Sequence, residues 1–355
     1  MPRPASRKAW RSLAALVALA LTALGARPPG VAAEPDRLDR FRELALARQD
    51  PGQPDAESAD AYREMYALLD EEIVESLATG GVFASPGFVQ ERLDGFSEAW
   101  GAAALGVVGV GRLVVGAFQL GDAPGVNSVR VYGRLGGEAA LLATVHREGR
   151  PVVLALPPAP DGAPQFLAAW EGPATGRGTR ALRIELLRPR GEGVRTVWST
   201  AEQYPEGLLA RAWSLRAGQL RLRYELRYPG WTPGCAAQTE GEDVWRLAPR
   251  GGGFVRAGRV QHHPWHRELR AAVARLLVAL AAGDRAAVAA LAPDAALRRR
   301  LPARLAPEPA CDAPDDDTSP RRVSVAASDE RSPWELTWER SGARWRLTAA
   351  SRVLQ

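Results

Sequence analysis

A long series of short, strand-sized segments occupies the middle of the chain and restricts the folds open to it. Between residues 126 and 263, apolar runs alternate with turns rich in glycine and proline. Such regular punctuation is typical of an all-β sandwich, barrel or small propeller. The sequence therefore predicts an α+β protein with a central, mainly antiparallel β domain over residues 102–264. The predicted strands are 129–135, 140–145, 152–156, 166–170, 182–187, 194–198, 209–215, 220–228, 244–247 and 254–260.

One of these strands leads into the most elaborate loop of the chain. Over residues 220–228, Leu and Tyr alternate with Arg and Glu, which is the pattern of a strand with one solvated face. The residues that follow combine aromatic and polar side chains, and such density on a loop is typical of recognition. Tyr228, Trp231, Gln238 and Glu240 are therefore candidate ligand-binding residues. The alternative interpretation is an ordered crossover held by a disulfide.

The segment ends in a histidine cluster. Three of the four histidines, His262, His263 and His266, fall within five residues. Imidazole is a common metal ligand, and the carboxylates at positions 240, 242 and 243 could complete a ligand set. This pattern supports an alternative hypothesis, a metal-assisted hydrolase with a divalent metal. Pro264 interrupts helical spacing between the rings, so the competing interpretation is a hinge between domains.

Other catalytic arrangements are missing from the sequence. It contains no Gly-x-Ser-x-Gly turn and no Cys-x-x-Cys pair, so no nucleophile is predicted. The leading hypothesis is therefore a non-enzymatic binding or scaffolding protein without a cofactor. Its partner would be a protein or glycan of the cell envelope or exterior.

The first 33 residues have the pattern of an export signal. Basic residues precede an apolar run over residues 12–24, and small residues lead up to Ala33. This order predicts a signal peptide cleaved near Ala33 and a periplasmic or secreted protein. The apolar run is short for a membrane span. No membrane span is expected after cleavage.

The charge balance argues against a nucleic-acid partner. The chain has 46 basic and 41 acidic residues, but residues 1–33 contain five of the basic ones and no acidic one. The remainder is therefore balanced, with 41 of each, and lacks the basic excess of nucleic-acid-binding proteins. Lys8 is the only lysine, which excludes a Schiff base or a phosphate-loop lysine after cleavage.

A helical segment, residues 34–101, is expected before the β domain. Apolar residues recur at helical spacing over 62–77, and Gly80 and Gly81 end that helix. Ser85 followed by Pro86 predicts the start of a second helix. The very apolar run 102–120 is broken by glycines and contains a central arginine, so it predicts buried strands rather than a membrane span.

The two cysteines predict a link between distant parts of the chain. An even pair in an exported protein is a disulfide candidate, so Cys235 is expected to bridge to Cys311. The bridge would tie the β domain to the C-terminal region. Asp312 and residues 315–317 follow this cysteine, and they predict a solvated acidic loop rather than a calcium site.

The C-terminal region resembles a known fold family. Its order is a long helix, an Ala281–Asp284 corner, a short helix, and antiparallel strands that end in Gly342–Leu347. This order resembles the second half of NTF2-like (cystatin-like α+β) domains. Residues 266–355 carry the resemblance, within a predicted domain 265–355. The resemblance implies a small domain with a cone-shaped pocket, which serves enzymes and binding modules alike. The stretch lacks the acidic and histidine pair that catalytic members carry there.

Overall fold

The computed structural model describes residues 36–47, 56–101, 104–121, 125–176, 178–191, 193–232, 235, 238–249, 251–309, 311–312, 319–330, 332–342 and 344–353. The predicted signal peptide lies outside these residues. The described chain is α+β with mostly antiparallel sheets, as the sequence predicts. It divides into two compact units, Met1–Leu68 and Leu69–Gln355.

The smaller unit contains helix α1, Arg37–Ala47, and the first part of helix α2, Ala56–Thr79. Arg40 Nε lies 2.7 Å from Glu64 Oε1, so an ion pair joins the two helices within this unit. Both side chains are substantially exposed, and such a pair contributes little to stability.

The larger unit begins with the rest of α2, a short 3-10 helix at Gly81–Ala84, and helix α3 at Pro86–Trp100. Gly80 adopts a φ of 75°, which ends α2 where the sequence predicts. Ser85 caps α3, because its Oγ accepts a hydrogen bond from Phe88 N at 3.3 Å. The predicted start of the second helix is therefore confirmed.

The apolar run after α3 forms strands, as predicted, and the structure pairs them in a hairpin. It opens a four-stranded antiparallel sheet in the order β1-β2-β3-β4. The sheet is tied to α2 by Asp70, which accepts hydrogen bonds from Arg130 Nε at 2.7 Å and from the Tyr132 hydroxyl at 2.7 Å. Its strands are β1 Ala104–Val110, β2 Leu113–Gln119, β3 Ser128–Leu135 and β4 Glu138–His146.

The next eight strands form a larger antiparallel sheet in the order β12-β11-β10-β9-β7-β6-β5, with β8 paired to β7. A short helix, α4, Thr200–Gln203, follows β8. The strands are β5 Arg150–Ala155, β6 Phe166–Ala174, β7 Arg180–Arg190, β8 Gly193–Ser199, β9 Leu209–Arg216, β10 Gln219–Glu225, β11 Glu240–Leu247 and β12 Phe254–His262.

Two predictions about this sheet were wrong in detail. The strand predicted to reach Tyr228 ends at Glu225. The acidic residues expected in the loop instead form the first half of β11, where Glu240 is paired in register with Glu225 of β10. Their carboxylates are accommodated by arginine partners on neighbouring strands.

The two sheets pack face to face, and β6 contributes to two cores. Phe166, Ala168 and Trp170 belong to a cluster that also contains side chains of the first sheet. Leu167 and Ala169 alternate with them and belong to a second cluster, formed on the opposite face of the larger sheet. The period-two pattern of a strand places these sets on opposite faces. The central region is therefore layered, in the manner of a sandwich.

The last region packs helices on a third antiparallel sheet, in the order β13-β14-β15-β16. Gly283 ends the long helix in a left-handed conformation and Asp284 caps the next. The predicted terminal hairpin is confirmed, whereas the third helix, α7, was not predicted. The elements are α5 Pro264–Ala282, α6 Arg285–Leu291, α7 Ala295–Arg300, β13 Ala306–Pro307, β14 Arg322–Ser328, β15 Pro333–Ser341 and β16 Arg344–Arg352.

The core of this region is aromatic. Trp265 of α5, Trp338 of β15 and Trp345 of β16 are all buried in one cluster with aliphatic side chains of both layers. Across the described parts of the whole chain, no helix is both long enough and apolar enough to cross a bilayer.

Candidate functional site

The loop between β10 and β11 lies where the central region meets α5. Tyr228 is at its start, and its hydroxyl lies 2.5 Å from His266 Nδ1 on the first turn of α5. The Tyr228 hydroxyl also accepts a hydrogen bond of 3.4 Å from Thr239 N, at the end of the loop. Thr239 Oγ1 donates in turn to His263 O at 2.9 Å. The loop and the helix start are thus fastened together.

Two further charged side chains complete this contact. His266 Nε2 lies 3.2 Å from Asp312 Oδ2. Arg270, one helical turn later, places its Nε 2.5 Å from the same oxygen. The side chains of Arg270 and Asp312 are 4% and 0% exposed, so the ion pair is withdrawn from water. We call Tyr228, His266, Arg270 and Asp312 the buried junction.

The expected disulfide adjoins the buried junction. Cys235 lies in the β10–β11 loop and forms a disulfide with Cys311, which immediately precedes Asp312. The sequence prediction is therefore confirmed. The prediction that Asp312 belongs to a solvated loop is wrong, because its carboxylate is held inside by Arg270 and His266. Residues 315–317 lie outside the described chain.

Burial also sets the acid–base behaviour of the junction's tyrosine. Removal from water raises the pKa of the Tyr228 hydroxyl, because the phenolate would lose its hydration. The hydrogen bond from Thr239 and the charge of Arg270 act in the opposite direction, but burial outweighs them. Tyr228 is therefore a neutral hydrogen-bonding group rather than a nucleophile.

The three clustered histidines do not converge. His262, at the end of β12, places Nε2 3.3 Å from Glu242 Oε2. His263 adopts a left-handed conformation with φ 51° at the start of α5, and His266 is buried in the junction. Among the described residues, no group of three or more His, Cys, Asp and Glu side chains is placed to hold a metal ion.

The carboxylates near the histidines are bound by other partners. Asp243 is fully buried and accepts hydrogen bonds from Tyr204 at 2.6 Å and from Arg259 Nε at 2.7 Å. Burial would raise the pKa of Asp243, but the bonds from Arg259 and Tyr204 outweigh it and lower that pKa. Burial, with Asp243 nearby, raises the pKa of Tyr224 to about 12. Asp243 therefore stabilises the strand pair β11–β12.

The remaining ligand-binding candidates also have intramolecular partners. Gln238 donates to Thr232 O, and its Oε1 accepts from Thr232 N at 3.1 Å. The Arg227 guanidinium lies 5.6 Å from the centre of a Trp231 ring. Glu240 forms ion pairs with Arg223 of β10 and Arg211 of β9. These residues order the crossover, which is the alternative that the sequence left open.

A large cleft lies elsewhere, at one end of the contact between the two central sheets. Its volume is about 1010 Å³. The first sheet and the turn after it contribute Gln119, Asn127 and Arg147 to its lining. The larger sheet contributes Trp170 and Arg183, which are directly opposite each other on β6 and β7. We call this the arginine cleft; its cationic lining residues are Arg147, Arg150, Arg180 and Arg183.

An irregularity in β6 shapes the cleft. The pairing of β6 with β7 is regular up to Glu171 and resumes at Ala174, so Gly172 and Pro173 bulge from the ladder. Both bulged residues line the cleft. Bulges bend a strand and often lie beside binding sites. Glycine- and proline-rich segments were predicted to be turns between strands, but at Gly172 and Pro173 the structure shows an interruption within one strand.

Ion pairs hold most of the cleft's charged groups in place. Glu185, which is 0% exposed, lies 3.2 Å from Arg147 Nε and 2.6 Å from an Arg183 guanidinium nitrogen. Arg180 pairs with Glu171 at 2.8 Å. Arg147 comes from the first sheet and Glu185 from the larger one, so their pair joins the two sheets. These charges are positioned before any ligand arrives.

Two buried polar atoms of residues at or behind the cleft lining have no hydrogen-bond partner among the described residues. Trp170 is 1% exposed, and its Nε1 has no acceptor among the described residues. Glu185 has a second oxygen, Oε2, that is buried and equally without a donor there. Each such group costs about 1–3 kcal/mol relative to a satisfied one. The indole N–H groups of Trp198, Trp265, Trp338 and Trp345 are likewise without an acceptor among the described residues. Trp213 Nε1, by contrast, donates to Glu171 at 2.6 Å.

The sequence carries little signal for this site, because its residues are ordinary ones. The cleft uses arginine, glutamate and tryptophan from predicted strands and from the segments between them, and its lining contains no cysteine or histidine among the described residues. The one usable signal was the pair Gly172-Pro173 directly after a strand with a tryptophan. The sequence matches no protein-family model, and comparison with curated proteins finds no match.

Proposed function

We propose that this is an exported, non-enzymatic binding protein and that its ligand occupies the arginine cleft. The disulfide between Cys235 and Cys311 supports export, because such bonds persist in oxidising compartments. The absence of a membrane-crossing helix in the described residues is compatible with that location. The signal-like pattern of residues 1–33 is the reason to expect it.

The observation that carries the proposal is the cleft with its preset charges. Its volume of about 1010 Å³ is at the upper end of the range for small-molecule sites. Arg147 and Arg183 are held by Glu185, and Arg180 by Glu171, so the charged lining is in place before a ligand arrives.

The proposal assigns residues 265–355 a structural role. We infer an NTF2-like domain there from the order of its helices and strands. The long helix α5 packs on an antiparallel sheet, and Trp265, Trp338 and Leu336 occupy the space between them. The buried junction and the disulfide then fasten this domain to the central sheets, so it acts as a scaffold.

The test is to obstruct the cleft without disturbing the core. Ala174 is exposed and lines the cleft, so Ala174→Trp adds a large side chain at its mouth. The probe is the neutral dye N-phenyl-1-naphthylamine, whose fluorescence rises in an apolar site. We expect saturable binding to the wild-type protein and at least about a tenfold weaker binding to the variant, because the probe and indole compete for one space.

A matched control is available on another strand. Ala257 is exposed in β12, remote from the residues that line the cleft, and Ala257→Trp should leave dye binding unchanged. Equal urea-unfolding midpoints of all three proteins would show that folding is intact. Binding that Ala174→Trp leaves untouched would overturn the assignment of the ligand to this cleft.

A further inference from the structure

The charges of the arginine cleft do not cancel. Its lining contains four arginines and two glutamates, Glu148 and Glu171. Glu185 lies behind the lining and pairs with two of those arginines, which leaves one positive charge in excess. A ligand without charge would leave this excess uncompensated, whereas an anion would neutralise it.

One lining arginine, Arg150, has no partner of its own in the described chain, whereas the excess charge arises where Arg147 and Arg183 share Glu185. Arg150 is exposed at the start of β5 and lines the cleft, and its guanidinium has no ion-pair or hydrogen-bond partner among the described residues. On the neighbouring strand its register partner is Glu171, but that carboxylate is bound by Arg180 and Trp213. Arg150 is therefore a free guanidinium, and guanidinium groups bind carboxylates and phosphates through paired hydrogen bonds.

Much of the remaining lining is apolar. Pro173, Ala174 and Ala181 contribute exposed hydrocarbon surface, and the buried side chains of Leu182 and Leu208 also line the cleft. Such surface gains free energy when an apolar group of a ligand covers it. The cleft thus combines a hydrocarbon wall with a cation at its mouth. A small inorganic anion would contact the cation and leave the hydrocarbon wall uncovered.

We propose that the arginine cleft binds an amphiphilic organic anion. Its carboxylate, phosphate or sulfonate group contacts Arg150, and its apolar body lies along Pro173, Ala174 and Ala181. This inference rests on the proposed function and names the ligand class for the same site. Arg150 then determines specificity for charge, while the apolar wall contributes to binding of any ligand that fits.

Two matched dyes separate the charge from the apolar body. The sulfonate 1-anilinonaphthalene-8-sulfonate and neutral N-phenyl-1-naphthylamine share an aromatic skeleton and differ in the acidic group. We expect Arg150→Gln to weaken sulfonate binding about fivefold, the factor that corresponds to about 1 kcal/mol for a partly exposed ion pair. Binding of the neutral dye should change less than about twofold, because its apolar contacts remain.

A second arginine provides the control. Arg195 is exposed on β8, and its register partner is Arg188. Arg188 is five residues along β7 from Arg183 of the cleft, a distance of about 17 Å along an extended strand. Arg195→Gln should leave the binding of both dyes unchanged. Raising salt from about 20 mM to about 500 mM should weaken binding of the sulfonate alone, since salt screens exposed charges.

The possible outcomes distinguish a failure of the anion inference from a failure of the proposed function. If Ala174→Trp abolishes binding of both dyes while Arg150→Gln leaves their affinity ratio unchanged, the cleft binds ligands without charge preference and the anion inference fails. If Ala174→Trp affects neither dye, the proposed function itself fails. A selective loss of the sulfonate in Arg150→Gln, with an unchanged urea midpoint, supports both.

Discussion

The buried junction and the arginine cleft both contain paired arginines and carboxylates, but they differ in exposure. In the junction, the side chains of Arg270 and Asp312 are 4% and 0% exposed. In the cleft, the side chains of Arg180 and Arg183 are 39% and 44% exposed. The first pair is enclosed by protein, whereas the second faces a space that a ligand can enter.

This difference indicates two separate tasks. A withdrawn ion pair beside a disulfide holds two regions in one arrangement, and breaking it leaves a charge without a counterion. The partly exposed guanidinium groups of Arg180 and Arg183 can instead make further contacts with a ligand. Variants of the junction should therefore change stability and leave binding alone, and variants of the cleft should do the opposite.

The disulfide gives the largest expected effect. Replacing both Cys235 and Cys311 with serine should lower the free energy of unfolding by about 4 kcal/mol, because the bond restricts a loop of 76 residues in the unfolded chain. Urea denaturation of the oxidised wild-type protein and the double variant measures the difference. The affinity for the neutral dye under folding conditions should stay within about twofold. A large loss of affinity would contradict the separation of tasks.

The second largest effect on stability is expected from replacing the carboxylate of Asp312. Asp312→Asn should cost about 3 kcal/mol, because Arg270 keeps its charge in a buried position. Glu330 offers the control, since it is exposed and has no ion pair in the described chain. Glu330→Gln should change the unfolding free energy by less than about 0.5 kcal/mol.

A compensating change sharpens this test. Adding Arg270→Met to Asp312→Asn removes the stranded charge and should restore part of the lost stability. A double variant that is less stable than either single one would contradict an ion pair as the cause of the loss.

Much of the fold follows from local patterns, and the exceptions have a common physical cause. Ser85-Pro86, Gly80 and the alternation in β10 act within a few residues, so the sequence predicts their helix starts, helix ends and strand faces. Asp312 was misjudged because its partners, Arg270 and His266, are brought to it by tertiary packing. A carboxylate in an acidic run looks solvated until its contacts are known.

The candidate sites show the same limit more strongly. His262, His263 and His266 are adjacent in sequence, but a strand end, a left-handed residue and a helix direct them to different places. In the cleft, Arg147 contacts Glu185, which lies 38 residues later in the sequence. No local pattern encodes that approach, because it depends on how two sheets stack. The disulfide was predictable because only one pairing of two cysteines exists.

The smallest effect concerns the Tyr228 hydroxyl and depends on pH. Tyr228→Phe should lower stability by about 1 kcal/mol near pH 8, through loss of the hydrogen bond to His266. The pKa of Tyr228 is raised by folding, so its hydroxyl contributes fully below the unfolded pKa of about 10 and loses this contribution as pH rises through the folded pKa. The difference between wild type and variant should therefore shrink above about pH 10.

Urea denaturation of both proteins near pH 8 and near pH 11 measures this difference. Arg150→Gln is the counterpart in the cleft and should match the stability of the wild type at both pH values, because the exposed Arg150 side chain does not support the core. A stability difference for Tyr228→Phe that stays constant up to pH 11 would show that packing, rather than a neutral hydroxyl, is its contribution. The junction would then remain distinct from the cleft through its ion pair and disulfide alone.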